Sequence, residues 1–93
     1  MIKSFRDKNA RKLYSGEKVK IFEVFYRQAI RRLQILNDAT SLQDLKQLPS
    51  NHFKALGGNR KGQYSIRINR QWRICFKWLD GDAFNVEIVD YHL

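Results

Sequence analysis

This 93-residue chain is strongly basic, with 18 Lys and Arg against 9 Asp and Glu, a net charge of +9 and a pI near 10.1. At this length, and with 43% hydrophobic residues, it can build one modest core, so we expect a single domain over residues 1–93. One cysteine excludes an internal disulfide, and no His/Cys cluster has metal-ligand spacing. No stretch has the length of a membrane span, and the first residues lack the apolar region of a signal peptide. We therefore expect a cytoplasmic protein with no metal, no cofactor and no membrane contact.

The first segments in chain order are short. Residues 2–5 alternate in polarity and predict a strand, and residues 6–18 predict a helix that ends at Gly16. Apolar residues then recur at steps of three and four over residues 19–36, which predicts one helix with a buried face. The expected buried positions are Phe22, Phe25 or Tyr26, Ala29, Leu33 and Leu36. The arginines off this stripe, expected on a solvated face, are Arg27, Arg31 and Arg32.

The second half changes from helical to strand periodicity. Ser41 and Asp44 have the spacing of a capping box, which predicts a helix through Leu48 that stops at Pro49. Four segments then alternate like strands: residues 52–56, 64–68, 72–78 and 84–89. Helices followed by hairpin-linked strands predict an α+β fold with four or five mainly antiparallel strands. The helices are expected to cover one face of the sheet, and the other face is expected to be open.

The basic residues are concentrated among these strands. No acidic residue lies between Asp44 and Asp80, whereas eight basic residues do. They are Lys46, Lys54, Arg60, Lys61, Arg67, Arg70, Arg73 and Lys77. This distribution predicts a polyanionic partner and favours nucleic acid over an acidic protein or a membrane surface. A generally solvated basic surface would have the same composition.

Alternation also predicts the register of the strands. A three-residue loop at 69–71 brings the two apolar sets onto one face and sets Arg67 opposite Arg73 on the polar face. The last hairpin is expected to have three loop residues as well, since a two-residue turn at Asp80 and Gly81 would put the apolar side chains of residues 84, 86 and 88 on the polar face. The expected pairs are Trp78 with Phe84, Phe76 with Val86 and Arg73 with Val89. Tyr91 then falls on the arginine face.

The opposed arginines repel each other unless an anion lies between them. Either Glu87, on the same face, compensates this charge, or the sheet keeps the pair to bind a phosphate, which the planar guanidinium grips well. If the pair is kept for a phosphate, Arg73→Met is expected to hold the stability or to raise it by about 0.5 kcal/mol. If Arg73 is instead paired with Glu87 as a structural brace, the change is expected to lower the melting temperature markedly.

Four stretches together resemble one protein family. They are residues 2–5 (IKSF), 56–67 (LGGNRKGQYSIR), 72–74 (WRI) and 89–92 (VDYH). The chain resembles the HigB branch of the RelE superfamily of bacterial toxins, most specifically from residue 54 onward. The resemblance implies a compact RelE-like fold and an endoribonuclease that cuts mRNA in the ribosomal A site. It also implies a cognate helix-turn-helix antitoxin, through which alone the protein would meet operator DNA.

The residues suit metal-free cleavage by the RNA's own 2′-hydroxyl, which needs a base, an acid and a cation for the phosphorane. Arg73 is assigned to the phosphate, His92 to acid or base, Asp90 to orienting His92 or acting as base, and Tyr91 to stacking or positioning. Further RNA or ribosome contacts are expected at Arg60, Lys61, Arg67, Arg70 and Lys77.

Two positions depart from the family pattern. Many relatives have histidine at Lys54 and lysine at Gly57. Lys54 is retained as a base or phosphate contact, but one acid–base candidate is missing. A non-catalytic module that blocks the ribosome by occupancy is therefore the alternative. A DNA-binding regulator is disfavoured, because no second helix follows a tight turn as a recognition helix does.

Overall fold

The computed structural model describes residues 1–91 and has the expected α+β architecture. The helices are α1 (Lys8–Tyr14), α2 (Tyr26–Asp38) and α3 (Leu42–Lys46). The strands are β1 (Lys54–Ala55), β2 (Gln63–Arg67), β3 (Trp72–Leu79) and β4 (Asp82–Asp90), in one antiparallel sheet with the order β1-β2-β3-β4. Three 3-10 segments lie at Lys20–Phe25, Pro49–Asn51 and Gly58–Arg60. No helix in the described part of the chain is long and apolar enough to cross a membrane.

The long helix predicted over residues 19–36 is divided in two. The apolar stripe is buried as expected, but Lys20–Phe25 is a 3-10 segment and the α-helix begins only at Tyr26. Val19, Phe22 and Phe25 are spaced by three, and a 3-10 helix places such residues on one face. All three are buried, which explains the tighter winding. Their neighbours on the outer side, Ile21 and Val24, are exposed.

The turn that follows α3 matters for the cleft described below. The capping box at Ser41 and Asp44 is confirmed, with both reciprocal hydrogen bonds present. The helix ends at Lys46, before the predicted Leu48. Pro49 lies beyond this end and does not stop the helix; it begins the 3-10 turn Pro49–Asn51, because its fixed φ suits a first helical position.

The β2–β3 hairpin has the predicted register. Tyr64 faces Phe76, Ile66 faces Ile74, and Arg67 faces Arg73. Burial of the apolar set against the helices fixes this pairing, since a slip by one residue would turn the whole set outward.

The β3–β4 hairpin corrects our prediction. Its turn has two residues, Asp80 and Gly81, both with positive φ (51° and 82°). Positive φ at both positions is typical of the type I′ hairpin turn, whose twist matches that of the flanking strands. Lys77 therefore pairs with Phe84, and Trp78 pairs with Ala83 rather than with Phe84.

A β-bulge restores the register farther along β4. The register shifts between the pairs at Lys77 and Cys75, leaving two β4 residues, Asn85 and Val86, opposite one β3 residue. Asn85 has a φ of 52°, and its N–H donates to Ser4 Oγ (2.9 Å). Val86 and Ile88 thus reach the core, and Arg73 still pairs with Val89 as expected.

Residues 2–5 form less regular structure than the predicted strand. They run parallel to β4 and meet it at two isolated bridges, Ile2 with Ala83 and Phe5 with Val86. The bulge in β4 lies between these two bridges. Because β4 is irregular there, residues 2–5 cannot form a continuous ladder of hydrogen bonds with it.

Candidate active-site cleft

The sheet face away from the helices is partly closed rather than open. Ser65 and Cys75 on this face are fully buried, and Arg73 is only 6% exposed. Arg60, at the end of the 3-10 segment after β1, reaches over the sheet and donates to Glu87 Oε2 (3.0 Å). Arg6 approaches the same carboxylate at 3.6 Å. Glu87 therefore compensates Arg60 and Arg6, not the opposed arginines.

A cleft of about 260 Å³ lies on this face, beside β1 and the β2–β3 loop. Its lining residues are His52, Lys54, Arg67, Asn69, Arg70, Arg73 and Tyr91. Four of these carry a positive charge, and none of the lining residues within 1–91 is acidic, so this part of the cleft favours an anion.

Arg73 is the most firmly held cation of the cleft. Its Nε donates to Ser65 Oγ (2.9 Å), and its Nη2 donates to the carbonyl of His52 and, at 3.5 Å, to that of Ser65. Nη1 has no hydrogen-bond partner among residues 1–91. Burial is the main cause that lowers the pKa of Arg73, and the nearby Arg67 lowers it further.

Arg67 is held less tightly. Its Nε donates to the carbonyl of Asn69 (3.0 Å), and its side chain is half-buried. The Asn69 side chain in turn accepts the N–H groups of Gln71 and Trp72, both at 2.8 Å, which fixes the hairpin loop. The loop therefore orients Arg67 through the backbone.

Tyr91 and Lys54 complete the cleft. The Tyr91 ring lies 5.7 Å from the Arg73 guanidinium carbon and 5.9 Å from Lys54 Nζ, both within the range of cation–π contacts. Tyr91 N–H also donates to the carbonyl of Gln71 (2.7 Å), which holds Tyr91 against the loop. Lys54 is exposed on β1, opposite Ser65.

The structure does not bring all the predicted site residues together. Asp90 pairs with Trp72 across the sheet, on the opposite face from Arg73, and its carboxylate accepts from Gln71 Nε2 (2.9 Å). Lys61 and Lys77 are exposed but do not line the cleft, while Arg70 does. The prediction for His92 lies outside the described residues.

Sequence reasoning missed several contributors. The His52 carbonyl and the Ser65 hydroxyl are both bonded to Arg73, and Asn69 supports the hairpin loop. Alternation gave no signal for them, because a carbonyl has no sequence signature and a serine on a polar face is unremarkable. Arg32, predicted on a solvated face, is half-buried and donates to Asn51 Oδ1 (2.8 Å).

Comparison with known proteins identifies the family. Residues 3–92 match the family described as the RelE-like toxin HigB of type II toxin–antitoxin systems. The chain belongs to this family. A similar protein is toxin HigB-1 of Vibrio cholerae, 39% identical over 87 residues that cover 91% of this chain and 92% of that protein. Another is endoribonuclease HigB of Proteus vulgaris, 36% identical over 96 residues and covering 99% and 100% of the two chains.

Solved structures confirm the RelE-like fold of this HigB-like chain. A YoeB–YefM toxin–antitoxin complex from Staphylococcus aureus contains a chain that superposes with a TM-score of 0.58 at 18% identity, covering 100% of this chain and 99% of that one. A YoeB dimer from the same organism gives a TM-score of 0.56 at 19% identity, covering 99% and 98%. At this identity the likeness establishes the fold alone.

Proposed function

We propose that this HigB-like toxin is a ribosome-dependent endoribonuclease that cuts mRNA in the ribosomal A site and so inhibits translation. Its family supports a toxin, and the 36% identical Proteus vulgaris relative is named an endoribonuclease. The observation that carries the proposal is the cleft, which within residues 1–91 has four cations, no acidic lining residue and one arginine held by buried hydrogen bonds. Such a preorganised charge can stabilise a phosphorane more than the ground-state phosphate.

The reaction we propose needs no metal. The RNA 2′-oxygen attacks the adjacent phosphorus, its proton passes to a base, and the bond from phosphorus to the 5′-oxygen breaks as an acid protonates that oxygen. The products are a 2′,3′-cyclic phosphate and a 5′-hydroxyl. Arg73 Nη1, with Arg67 beside it, takes the added negative charge, and His92 supplies acid or base function.

The other cleft residues position the substrate in this mechanism. Lys54 contacts the phosphate or acts as base, Arg70 contacts the neighbouring backbone, and Tyr91 stacks a base or orients the phosphate. Asp90 acts through its contact with Gln71, which holds the end of β4 beside the loop. Arg60, Lys61 and Lys77 lie outside the cleft and are proposed to contact the ribosome.

The ribosome supplies what so small a cleft lacks. It holds mRNA bent for in-line attack, which a few cationic side chains cannot impose on a free strand. We propose a cognate helix-turn-helix antitoxin as inhibitor in the same cytoplasm, with operator DNA contacted only through that antitoxin. The membership of a toxin–antitoxin family and the solved complex of a structural neighbour support an antitoxin partner.

A translating extract tests the proposal. Added protein should cut a reporter mRNA and leave 5′-hydroxyl and cyclic-phosphate ends, and purified RNA should be cut poorly. An mRNA with 2′-O-methyl groups across the cut codons should resist cleavage, since the nucleophile is blocked. A metal chelator should not change the cleavage reaction itself. A magnesium control is needed in this experiment, because intact ribosomes require magnesium.

Occupancy of the ribosome is the second candidate. Lys54 favours it, because the family resemblance implies a histidine at this position as an acid–base group. If translation stops with intact mRNA, and equally on the 2′-O-methyl message, the protein blocks rather than cuts. Efficient cleavage of purified RNA would instead contradict the need for the ribosome.

A further inference from the structure

The buried polar side chains of the described chain are all connected to one cleft residue, Arg73. Apart from Cys75, which packs as a small hydrophobe, three polar side chains are buried within residues 1–91: Asn51, Ser65 and Arg73. Ser65 binds Arg73 directly, and Asn51 immediately precedes His52, whose carbonyl also binds Arg73. Since burying a polar group costs free energy unless it is bonded, an element built only for packing would not need Asn51.

Asn51 is fully buried and bonded at both ends of its amide. Its Nδ2 donates to the carbonyl of Leu45 in α3 (3.0 Å), and its Oδ1 accepts from Arg32 Nη1 in α2 (2.8 Å). The same Arg32 nitrogen lies 3.2 Å from Ser50 Oγ. The turn Pro49–Asn51 is thus clamped between two helices.

This clamp acts on the residue that follows. His52 has left-handed backbone angles, φ 43° and ψ 52°, and its N–H donates to the carbonyl of Pro49 (3.1 Å). A non-glycine residue in this region is strained and persists only where its surroundings fix it. In this conformation the His52 carbonyl points at Arg73 Nη2.

We propose that Arg32 and Asn51 are positioning residues that fix the Arg73 guanidinium through the His52 carbonyl. They lock the turn, the turn holds His52 left-handed, and the carbonyl together with Ser65 leaves Nη1 of Arg73 facing the cleft. The claim that this orientation of Arg73 serves phosphate chemistry depends on the proposed function. The mechanical coupling from Arg32 and Asn51 to Arg73 does not.

The test measures Arg73 directly, without RNA. The Arg73 Nε–H resonance in a proton–nitrogen NMR spectrum is assigned by its loss in Arg73→Lys. In the wild type it should exchange slowly with water, because this proton is bonded to Ser65 Oγ in a buried site. Asn51→Ala and Arg32→Met should shift it and speed its exchange at least severalfold. Arg32→Lys should restore part of the protection, since a lysine can keep one bond to Asn51.

Arg31→Met is the matched control. Arg31 is the exposed neighbour of Arg32 on the same helix. The Arg31→Met change therefore removes the same charge but leaves the hydrogen bonds of Arg32 and Asn51 in place. Its Arg73 resonance should match the wild type. In the translating extract Asn51→Ala and Arg32→Met should cut about 10- to 100-fold more slowly at saturating protein, with little change in the half-saturating concentration. Arg31→Met should cut at the wild-type rate.

Each result decides the proposal. If the Arg73 resonance is unchanged in both clamp variants, or equally changed in the control, the proposal is overturned. If Asn51→Ala does not fold, Arg32→Met decides alone. If the resonance responds as expected but the wild type cuts no mRNA, the coupling stands and the proposed function fails.

Discussion

Replacement of Arg73 by methionine separates two accounts of the opposed arginines. If the pair is kept for a phosphate, the sequence predicts that the change removes a repulsion and does not harm stability. In the structure it also removes the hydrogen bonds to Ser65 Oγ and the His52 carbonyl, at a position that is 6% exposed. Leaving such buried groups unpaired costs about 1–3 kcal/mol, whereas relief of one cross-strand repulsion returns roughly 0.2–1 kcal/mol.

The balance therefore has the opposite sign from the sequence-based expectation. We expect Arg73→Met to lower the free energy of unfolding by about 1–2 kcal/mol, measured by urea denaturation. The Tm should fall by roughly 4–15 °C for a domain of this size. Cleavage in the extract, assayed where the variant is fully folded, should fall by about 10²- to 10³-fold, the scale for one lost charge stabiliser.

Ser65→Ala is the matched control for the brace. It removes the partner hydroxyl but keeps the guanidinium, so stability should fall while most cleavage remains. An Arg73→Met variant as stable as the wild type would refute the reasoning from buried hydrogen bonds. Cleavage that falls only in proportion to the folded fraction would show that Arg73 is a structural brace and that the active site lies elsewhere.

Three further predictions follow from exposure and protonation. Lys54→Met should change the free energy of unfolding by less than about 0.5 kcal/mol, because Lys54 is exposed. The slope of the logarithm of the ribosome-binding constant against the logarithm of the salt concentration should become shallower by about 0.7–0.9, since one phosphate contact is lost. An unchanged slope would show that Lys54 does not contact a phosphate. His92→Ala should keep the wild-type circular dichroism spectrum and cut mRNA at least about 10²-fold more slowly. Asp90→Ala, which breaks the contact with Gln71, should also cut more slowly. Full cleavage by His92→Ala would exclude His92 as the acid or base. Burial raises the pKa of the Cys75 thiol, so iodoacetamide should label it slowly until urea unfolds the chain. Because this pKa is raised in the folded state, the contribution of the Cys75 thiol to the free energy of unfolding is complete below the unfolded-state pKa of about 8.5 and is lost as the pH rises toward the folded-state pKa. Urea denaturation at several pH values across this range will measure the loss.

The sequence predicted the order of helices and strands and the register of the β2–β3 hairpin, because a buried apolar face leaves a strict period. The pairing of Arg67 with Arg73 followed from keeping Ile66 and Ile74 on one face, and the structure confirms it. The same logic was wrong at the last turn. It assumed unbroken alternation in β4, and the bulge at Asn85 supplies the extra residue that the logic assigned to the loop.

The sequence by itself determined the α+β class, the basic character of the second half and the placing of Arg67, Arg73 and Tyr91 on one face. These depend on composition and on periods of two and three to four, which are local properties. Only the tertiary structure decided that Arg73 is buried, that Glu87 pairs with Arg60, that Asn51 binds the Leu45 carbonyl, and that the His52 carbonyl binds Arg73. Those contacts join residues far apart in the chain, some through backbone carbonyls that every residue has, so no local pattern distinguishes them.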